Sequence, residues 1–195
     1  MKKIILATHN ANKAREFAQM MEKYKIEVLS LNDIGYTEEI EETGTTFEEN
    51  ALIKAREVAT LYKTTVVADD SGLEIDALNG APGVYSARYA GTARSDDANM
   101  DKVLEKLKNV PDNERTARFV CVLALVDEIG KETVVRGTSE GKIWHEKRGI
   151  KGFGYDPIFY LPQLDKTMAE LSKDKKNAFS HRGNALKKLE SIIIN

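Results

Sequence analysis

Val66-Val67-Ala68-Asp69-Asp70-Ser71-Gly72-Leu73 is the stretch whose reading decides the fold. Its valine-rich opening reads as a short buried strand. The two adjacent carboxylates and the Ser-Gly that follow read as the end of that strand and a tight turn. A rigid strand giving way to a loop holds the groups at its end in place, which suits catalytic side chains. Two carboxylates there can hold a divalent cation or activate a water. The same four residues also suit a plain turn in which aspartate bonds its own backbone. The surrounding chain has to decide between the two.

Upstream, Lys2 to Ala7 reads as a first strand. A helix follows to about Tyr24, with Phe17, Met20, Met21 and Tyr24 at helical spacing. Between them lies Thr8-His9-Asn10-Ala11-Asn12-Lys13. The amides of a helix N-terminus bind anions, Thr and Asn add donors, and Lys13 adds a point charge. The loop lacks the glycines of a Walker A motif. Its plainer reading is an Asn N-cap beside a solvated lysine. A second strand covers Ile26 to Leu31, and the acidic loop Glu38-Glu39-Ile40-Glu41-Glu42-Thr43-Gly44 follows. A capping box at Thr45/Glu48 or Thr46/Glu49 opens a helix to about Tyr62. Phe47, Ala51, Ala55, Val58, Ala59 and Tyr62 form its apolar stripe. Asn50 and Lys54, four apart, share another face. Lys54 reaches a phosphate or is solvated, and one glutamate of the loop near Asp70 would complete a Mg2+ site.

Downstream, Leu73 to Leu78 alternates and reads as a returning strand. Gly80 to Gly91 is a long loop rich in glycine and aromatics, of a kind that is functional or packed on itself. A helix spans Asp96 to Lys108. Arg118–Asp127 and Glu132–Trp144 read as an antiparallel pair joined at Glu128-Ile129-Gly130-Lys131. The fold class is therefore α/β with a mixed sheet. Two stretches remain. In Gly152-Phe153-Gly154-Tyr155-Asp156-Pro157, ahead of a strand at Ile158–Leu161, glycines let backbone approach a ligand. Phe153 and Tyr155 offer faces for a base, and Asp156 can accept from a ring N–H. In Lys176-Asn177-Ala178-Phe179-Ser180-His181-Arg182-Gly183, donors cluster beside an aromatic. An amphipathic helix through Leu186, Leu189 and Ile193 follows.

Composition narrows the classes. The 195 residues are 42% hydrophobic and 31% charged, which fits one globular domain covering residues 1–195. A formal net charge of -2 argues against a nucleic-acid binder while leaving room for a local basic pocket. The single cysteine, Cys121, lies in an apolar run, reads as a small core residue, and fits a reduced, cytoplasmic setting. The apolar run at the N-terminus is too short for a signal peptide or a membrane span.

Taken together, these stretches resemble the inosine/xanthosine triphosphate pyrophosphatase family. The matching pieces are Thr8-x-Asn10-x-x-Lys13, Glu41-Glu42-Thr43-Gly44-x-Thr46-Phe47-x-x-Asn50-Ala51-x-x-Lys54-Ala55, Ala68-Asp69-Asp70-Ser71-Gly72-Leu73, and Gly80-Ala81-Pro82-Gly83-x-Tyr85-Ser86-Ala87-Arg88-Tyr89. Phe153-Gly154-Tyr155-Asp156-Pro157 and Ser180-His181-Arg182-Gly183 complete the set, in order and over nearly the whole chain. His9 stands where members of the family often carry Gly.

The resemblance implies an elongated mixed β-sheet flanked by helices, two lobes with a central cleft, and a homodimer. It implies Mg2+-dependent hydrolysis of dITP, ITP and XTP to the monophosphate and diphosphate. Thr8, His9, Asn10, Ala11, Asn12 and Lys13 would hold the triphosphate, helped by Lys54 and Ser71. Asp70 would be the proton acceptor and a metal ligand, with Glu41 as the second metal-site carboxylate. Phe153, Gly154, Tyr155 and Asp156 would enclose the base, and Lys176, His181 and Arg182 would read it. Spacing alone leaves open whether Asp69 or Asp70 is the base. Two competing expectations are a pyrophosphatase for modified pyrimidine nucleotides, of the septum-formation-inhibitor type, and a nucleotide-binding regulatory module without turnover. A structural or adaptor role is disfavoured, because no heptad stripe is present.

Overall fold

The valine-rich run does open a strand, but the strand does not stop at the carboxylates. In a computed structural model describing residues 2–194, β3 runs from Val66 to Ile75 without a break. The expected turn at Asp69–Gly72 and the expected returning strand at Leu73–Leu78 are therefore both corrected. Leu73 to Ile75 is the second half of β3, and Asp76–Leu78 is a 3-10 turn closing it. The reason is tertiary. Val66 to Asp70 are all buried, and the carboxylates find partners inside the fold, so their local preference for a turn is overridden.

The other strands are β1 (Lys2–Leu6), β2 (Ile26–Ser30), β4 (Thr116–Val126), β5 (Glu132–Ile143), β6 (Phe159–Leu161) and β7 (Lys166–Thr167). Together they form one seven-stranded sheet in the order β2-β1-β3-β4-β5-β6-β7. β1 runs parallel to β2 and to β3, whereas β5-β6 and β6-β7 are antiparallel, so the sheet is mixed as expected. The short turn between the neighbours β4 and β5 is too brief for a parallel crossover. Among the described residues five α-helices complete the fold: α1 (Ala11–Met21), α2 (Phe47–Tyr62), α3 (Asp96–Lys106), α4 (Lys173–Phe179) and α5 (His181–Ile194). α2 begins at the capping box Thr46/Glu49, the second of the two readings offered by the sequence. The glycine-rich loop holds a 3-10 helix at Gly83–Arg88. Among the described residues no helix is long and apolar enough to cross a membrane.

By internal packing the chain divides into two compact units. The first takes residues up to 70, 121–137 and 182 onwards. Its core gathers Ile4, Leu6, Phe17, Met21, Val67, Leu123, Leu186 and Leu189, so α1 and α5 present to β1, β3 and β4 the stripes that their periodicity foretold. The second takes residues 71–120 and 138–181. Its core gathers Leu73, Met100, Val103, Leu107, Phe119, Phe159 and Met168. Within it, Arg115 is buried by donating to the carbonyls of Leu107, Ile143 and Trp144, which ties the end of α3 to the end of β5.

Gly141 on β5 shows how tightly the second unit is packed. A Cβ there would stand 2.5 Å from the carbonyl oxygen of Tyr160 and 2.7 Å from a Phe159 ring carbon. Backbone cannot yield as a flexible side chain can, so Gly141→Ala should lower stability by about 1–3 kcal/mol. A reduced urea midpoint with an unchanged m-value is the expected result.

Candidate active site

The loop from Thr8 to Lys13 folds as a strand-to-helix connection, and Asn10 is the N-cap of α1. The Asn10 side chain accepts from the amides of Asn12 and Lys13 at 3.0 and 3.1 Å. Two of the donors expected to face an anion are thus held by the cap itself. Thr8 Oγ1 accepts from Asn10 N–H, and Ala11 and Asn12 are exposed. His9 ties the loop to its surroundings. One ring nitrogen is 3.0 Å from Asn32 Oδ1, the other is 2.9 Å from the Glu38 carbonyl oxygen, and the ring stacks on Tyr36. The residue that departs from the family's pattern therefore joins this loop to the acidic one.

Successive side chains of a strand point to opposite faces, so Asp69 and Asp70 on β3 meet different neighbours. Asp69 is fully buried and held from several sides. Lys13 Nζ lies 2.5 Å from its Oδ1, and Arg182 Nε donates to its Oδ2 at 2.9 Å. Cys121 Sγ also donates to Oδ2, at 3.1 Å. Arg182, itself 1% exposed, pairs in addition with Glu16 of α1. Asp69 and Glu16 hold the guanidinium's pKa above its ordinary value even though burial works the other way. Burial pushes the Cys121 thiol well up, which makes it inert, as its reading as a core residue requires.

Asp70 is different. Its Oδ1 accepts from Lys54 Nζ at 3.3 Å, and its Oδ2 is buried with no hydrogen-bond partner. Burial raises its pKa above the ordinary 3.8, Lys54 and Lys13 pull it back, and Glu42 and Asp69 add to the rise. Lys54 is buried as well, and its Nζ donates to Glu42 at 2.6 Å and to the Asp69 carbonyl at 3.0 Å. Burial works to lower the Lys54 pKa, but Asp70, Glu42 and Asp69 together raise it, so the ammonium stays charged. Of the two loop glutamates, Glu42 is the one brought to Lys54, while Glu41 is exposed.

The donors fit a Mg2+ ion. They are hard carboxylate oxygens, and Asp70 Oδ2 is a buried acceptor without a partner, which is rare enough to need a reason. No group of three or more His, Cys, Asp or Glu is gathered for a metal among the described residues. Mg2+ does not need one, since it usually takes one or two carboxylates and fills its sphere with water and substrate phosphates.

In the second unit, Asp156 is buried and paired with Lys176 of α4 at 2.7 Å. It also accepts from the Phe153 amide at 2.9 Å. Lys176 lies over the Phe153 ring, 4.8 Å from its centre. A Cβ at Gly152 would stand 1.9 Å from Asp156 Oδ2, and its φ is +79°, so only glycine serves there. Tyr155 is packed in the core and donates to the Ser86 carbonyl, which leaves the half-buried Phe153 as the more available ring. His181 stacks on Phe119 with ring centres 4.9 Å apart. Gly154 N–H donates to Asp96, and Ser71 lies on β3 directly after Asp70. The structure thus groups Asp156, Phe153 and Lys176. It places Arg182 in the first unit, against Asp69 and Glu16.

Glu16, Glu42 and Cys121 belong to these surroundings without being singled out from sequence as site residues. Glu42 had a signal, since it adjoins Glu41 in the acidic loop. Glu16 and Cys121 had none, because their partners are remote in the chain.

A mixed α/β sheet with a buried aspartate pair, each aspartate held by its own lysine, defines the class: an α/β protein with a desolvated, charge-paired site at its central strand. The chain belongs to the Ham1 family, whose model matches residues 4–192. It is 56% identical over 194 residues to a dITP/XTP pyrophosphatase of Bacillus subtilis (strain 168), covering 99% of this chain and 98% of that one. It is 54% identical over 195 residues to a dITP/XTP pyrophosphatase of Bacillus cereus, covering 99% and 95%. The solved structure of the Staphylococcus aureus Ham1 protein superposes with a TM-score of 0.88 at 46% identity, covering 98% of both chains.

The two aspartates should respond oppositely to neutralisation. Asp69→Asn leaves Lys13 and Arg182 without their shared anion and should cost about 3–5 kcal/mol. Asp70 has a folded pKa above its unfolded value, so its stabilising contribution is complete below pH 3.8 and is lost as pH rises through the folded pKa. Asp70→Asn should therefore be more stable than wild type at pH 7, with the gain fading as pH falls toward 3.8. Urea unfolding of both variants at pH 7 and pH 4 checks both signs.

Proposed function

We propose that this protein is a nucleoside triphosphate pyrophosphatase that hydrolyses dITP, ITP and XTP to the monophosphate and diphosphate, with Mg2+ as cofactor. The observation that carries the reading is the inequality of the two aspartates. Asp69 is held by Lys13, Arg182 and Cys121, whereas Asp70 keeps a buried oxygen without a partner and an upward-shifted pKa. A general base gains from a pKa moved toward the working pH. Family membership and the names of the relatives support the substrate class.

In this reading Asp70 accepts the proton of a water whose oxygen attacks the α-phosphorus. The bond from that phosphorus to the bridging oxygen breaks, and diphosphate leaves. Lys13 and Lys54 offset the charge of the triphosphate, which otherwise repels an incoming nucleophile. An ammonium carries three donors, so the contact of Lys13 with Asp69 leaves others for phosphate. Thr8, His9, Asn10, Ala11, Asn12 and Ser71 complete the phosphate contacts. Asp70 and Glu41 would hold Mg2+, with Glu42 keeping Lys54 in place beside them. When bound, Mg2+ supplies charge neutralisation at the phosphates and Lewis acidity toward water.

The same proposal assigns the purine to Phe153, Asp156 and Lys176. Phe153 stacks on the ring, Gly152 and Gly154 let the backbone come close, and Asp156 accepts from a ring N–H. Lys176 and His181 supply donors suited to a 6-keto oxygen, which hypoxanthine and xanthine carry and adenine lacks. A site built to bond one such group can reject its counterpart by up to ~10^4- to 10^5-fold. Arg182 acts here chiefly by bracing Asp69. The assembly proposed is a homodimer in the cytoplasm.

Incubation with ITP, XTP, GTP and ATP plus Mg2+ in oxygen-18 water tests the proposal. Monophosphate and diphosphate should form from ITP and XTP and far less from ATP, with the label in the monophosphate. Release of single phosphate, or equal cleavage of ATP, would overturn it. Asp70→Asn should lower kcat by about 10^2- to 10^4-fold with a native circular dichroism spectrum. Near-wild-type turnover by that variant would remove Asp70 from the role.

A further inference from the structure

Asn50 lies one turn before Lys54 on α2 and is 1% exposed. Its Oδ1 accepts from the Gly44 amide at 2.8 Å. That bond fixes which way the carboxamide is turned, because a backbone N–H needs an acceptor and the NH2 end cannot serve. The NH2 end is therefore directed away from Gly44, and Nδ2 is buried with no hydrogen-bond partner. Buried donors are satisfied in native structures with few exceptions, and each exception needs an explanation.

The neighbourhood supplies one. Gly44 is pressed so closely to α2 that a Cβ would stand 2.6 Å from Glu49 Cβ and 2.7 Å from Asn50 Oδ1. Two residues earlier in the same loop, Glu42 holds Lys54 at 2.6 Å, and Lys54 in turn meets Asp70. Asp70 Oδ2 is the other unpaired atom in this run of contacts. A buried donor and a buried acceptor, both unmatched, are thus held by the same two elements: Asn50 and Lys54 sit one turn apart on α2, and the loop carrying Gly44 and Glu42 bonds to both. Such a pair is what a ligand bearing both an anionic oxygen and a cation would satisfy. A neutral donor is also the right kind of group for the position. A cation at residue 50 would compete with Lys54 for its carboxylates, and an anion would repel phosphate.

We infer that Asn50 is a further substrate-contacting residue of this site, its Nδ2–H group donating to a phosphate oxygen at the diphosphate end of the bound nucleotide. The inference rests on the pyrophosphatase reading above. On this view Oδ1 and Nδ2 divide the work: one pins the acidic loop through Gly44, the other meets the phosphate.

Asn50→Asp separates the two roles. It keeps the side-chain volume and an oxygen for the Gly44 amide while replacing the NH2 donor. The probes are inorganic diphosphate and IMP, each titrated calorimetrically with Mg2+ into wild type and variant. Diphosphate affinity should fall by about tenfold or more, the scale of a lost hydrogen bond to a charged group, while IMP affinity stays nearly unchanged. Asn50→Ser, which removes the donor without adding charge, should show the same selectivity, and it carries the test if the Asp variant does not fold. A residue that only pins the loop predicts, in Asn50→Asp, only the repulsion of the added charge, which high salt screens; variant and wild type of equal diphosphate affinity at high salt would overturn the inference. Equal weakening of IMP would overturn it as well. Wild-type turnover of ITP separates the layers: turnover with unaltered diphosphate binding in the variants sinks the Asn50 role alone, whereas a wild type that does not hydrolyse ITP sinks the pyrophosphatase reading beneath it.

Discussion

The fold depends on burying Asp69. A carboxylate taken out of water is expensive, and its charge must be met inside the protein by good geometry from more than one side. Lys13 comes from the start of α1, Arg182 from the start of α5, and Cys121 from the middle of β4. One anion thus gathers two helices and a neighbouring strand around β3. Glu16, one turn along α1 from Lys13, closes the arrangement by pairing with Arg182. The pairs set the positions of the termini of α1 and α5, and the apolar stripes of those helices then fill the core behind them.

Strand alternation converts that constraint into a site. With Asp69 turned to one face, Asp70 must face the other, where α2 presents Lys54. The glutamates before and at the start of α2 are sorted by function. Glu49 is used in the capping box, Glu48 pairs with Arg136, and Glu42 holds Lys54. The cap fixes where α2 begins and so fixes the height of Lys54 against β3. A helix that started a residue earlier or later would turn Lys54 by roughly 100° about its axis, away from Asp70.

Much of this was legible in the chain. The strand-loop-helix reading of Thr8 to Lys13, a capping box at one of two adjacent positions and the shared face of Asn50 and Lys54 follow from local spacing and held, as did the apolar stripes except at Tyr62, which ends α2 and is exposed. Asp-Asp-Ser-Gly reads as a turn because its composition reports local preference, whereas its burial depends on cations far off in the chain, Lys13 and Arg182, which lie 56 residues before and 113 residues after Asp69. For the same reason the engagement of Arg182 with Asp69 and Glu16 could not be read in advance. α4 escaped notice because Lys173–Phe179 is short and carries no apolar stripe. The choice between Glu41 and Glu42 as the partner of Lys54 turns on one residue of loop path, which spacing does not resolve.

Charge counting connects the architecture to the proposed cofactor. Among the described residues, the cluster around β3 sets Lys13, Lys54 and Arg182 against Asp69, Asp70, Glu42 and Glu16. With every carboxylate ionised, the anions outnumber the cations by one. Burial is the main cause of the upward shift of Asp70; Lys54 and Lys13 only partly offset it, and Glu42 and Asp69 add to it. A triphosphate arriving at such a cluster would meet net repulsion. A divalent cation would reverse the balance and would give the unpaired Asp70 oxygen a partner at the same stroke. On the proposed reading, the same excess of carboxylates would favour a nucleotide delivered together with its Mg2+ over the bare anion.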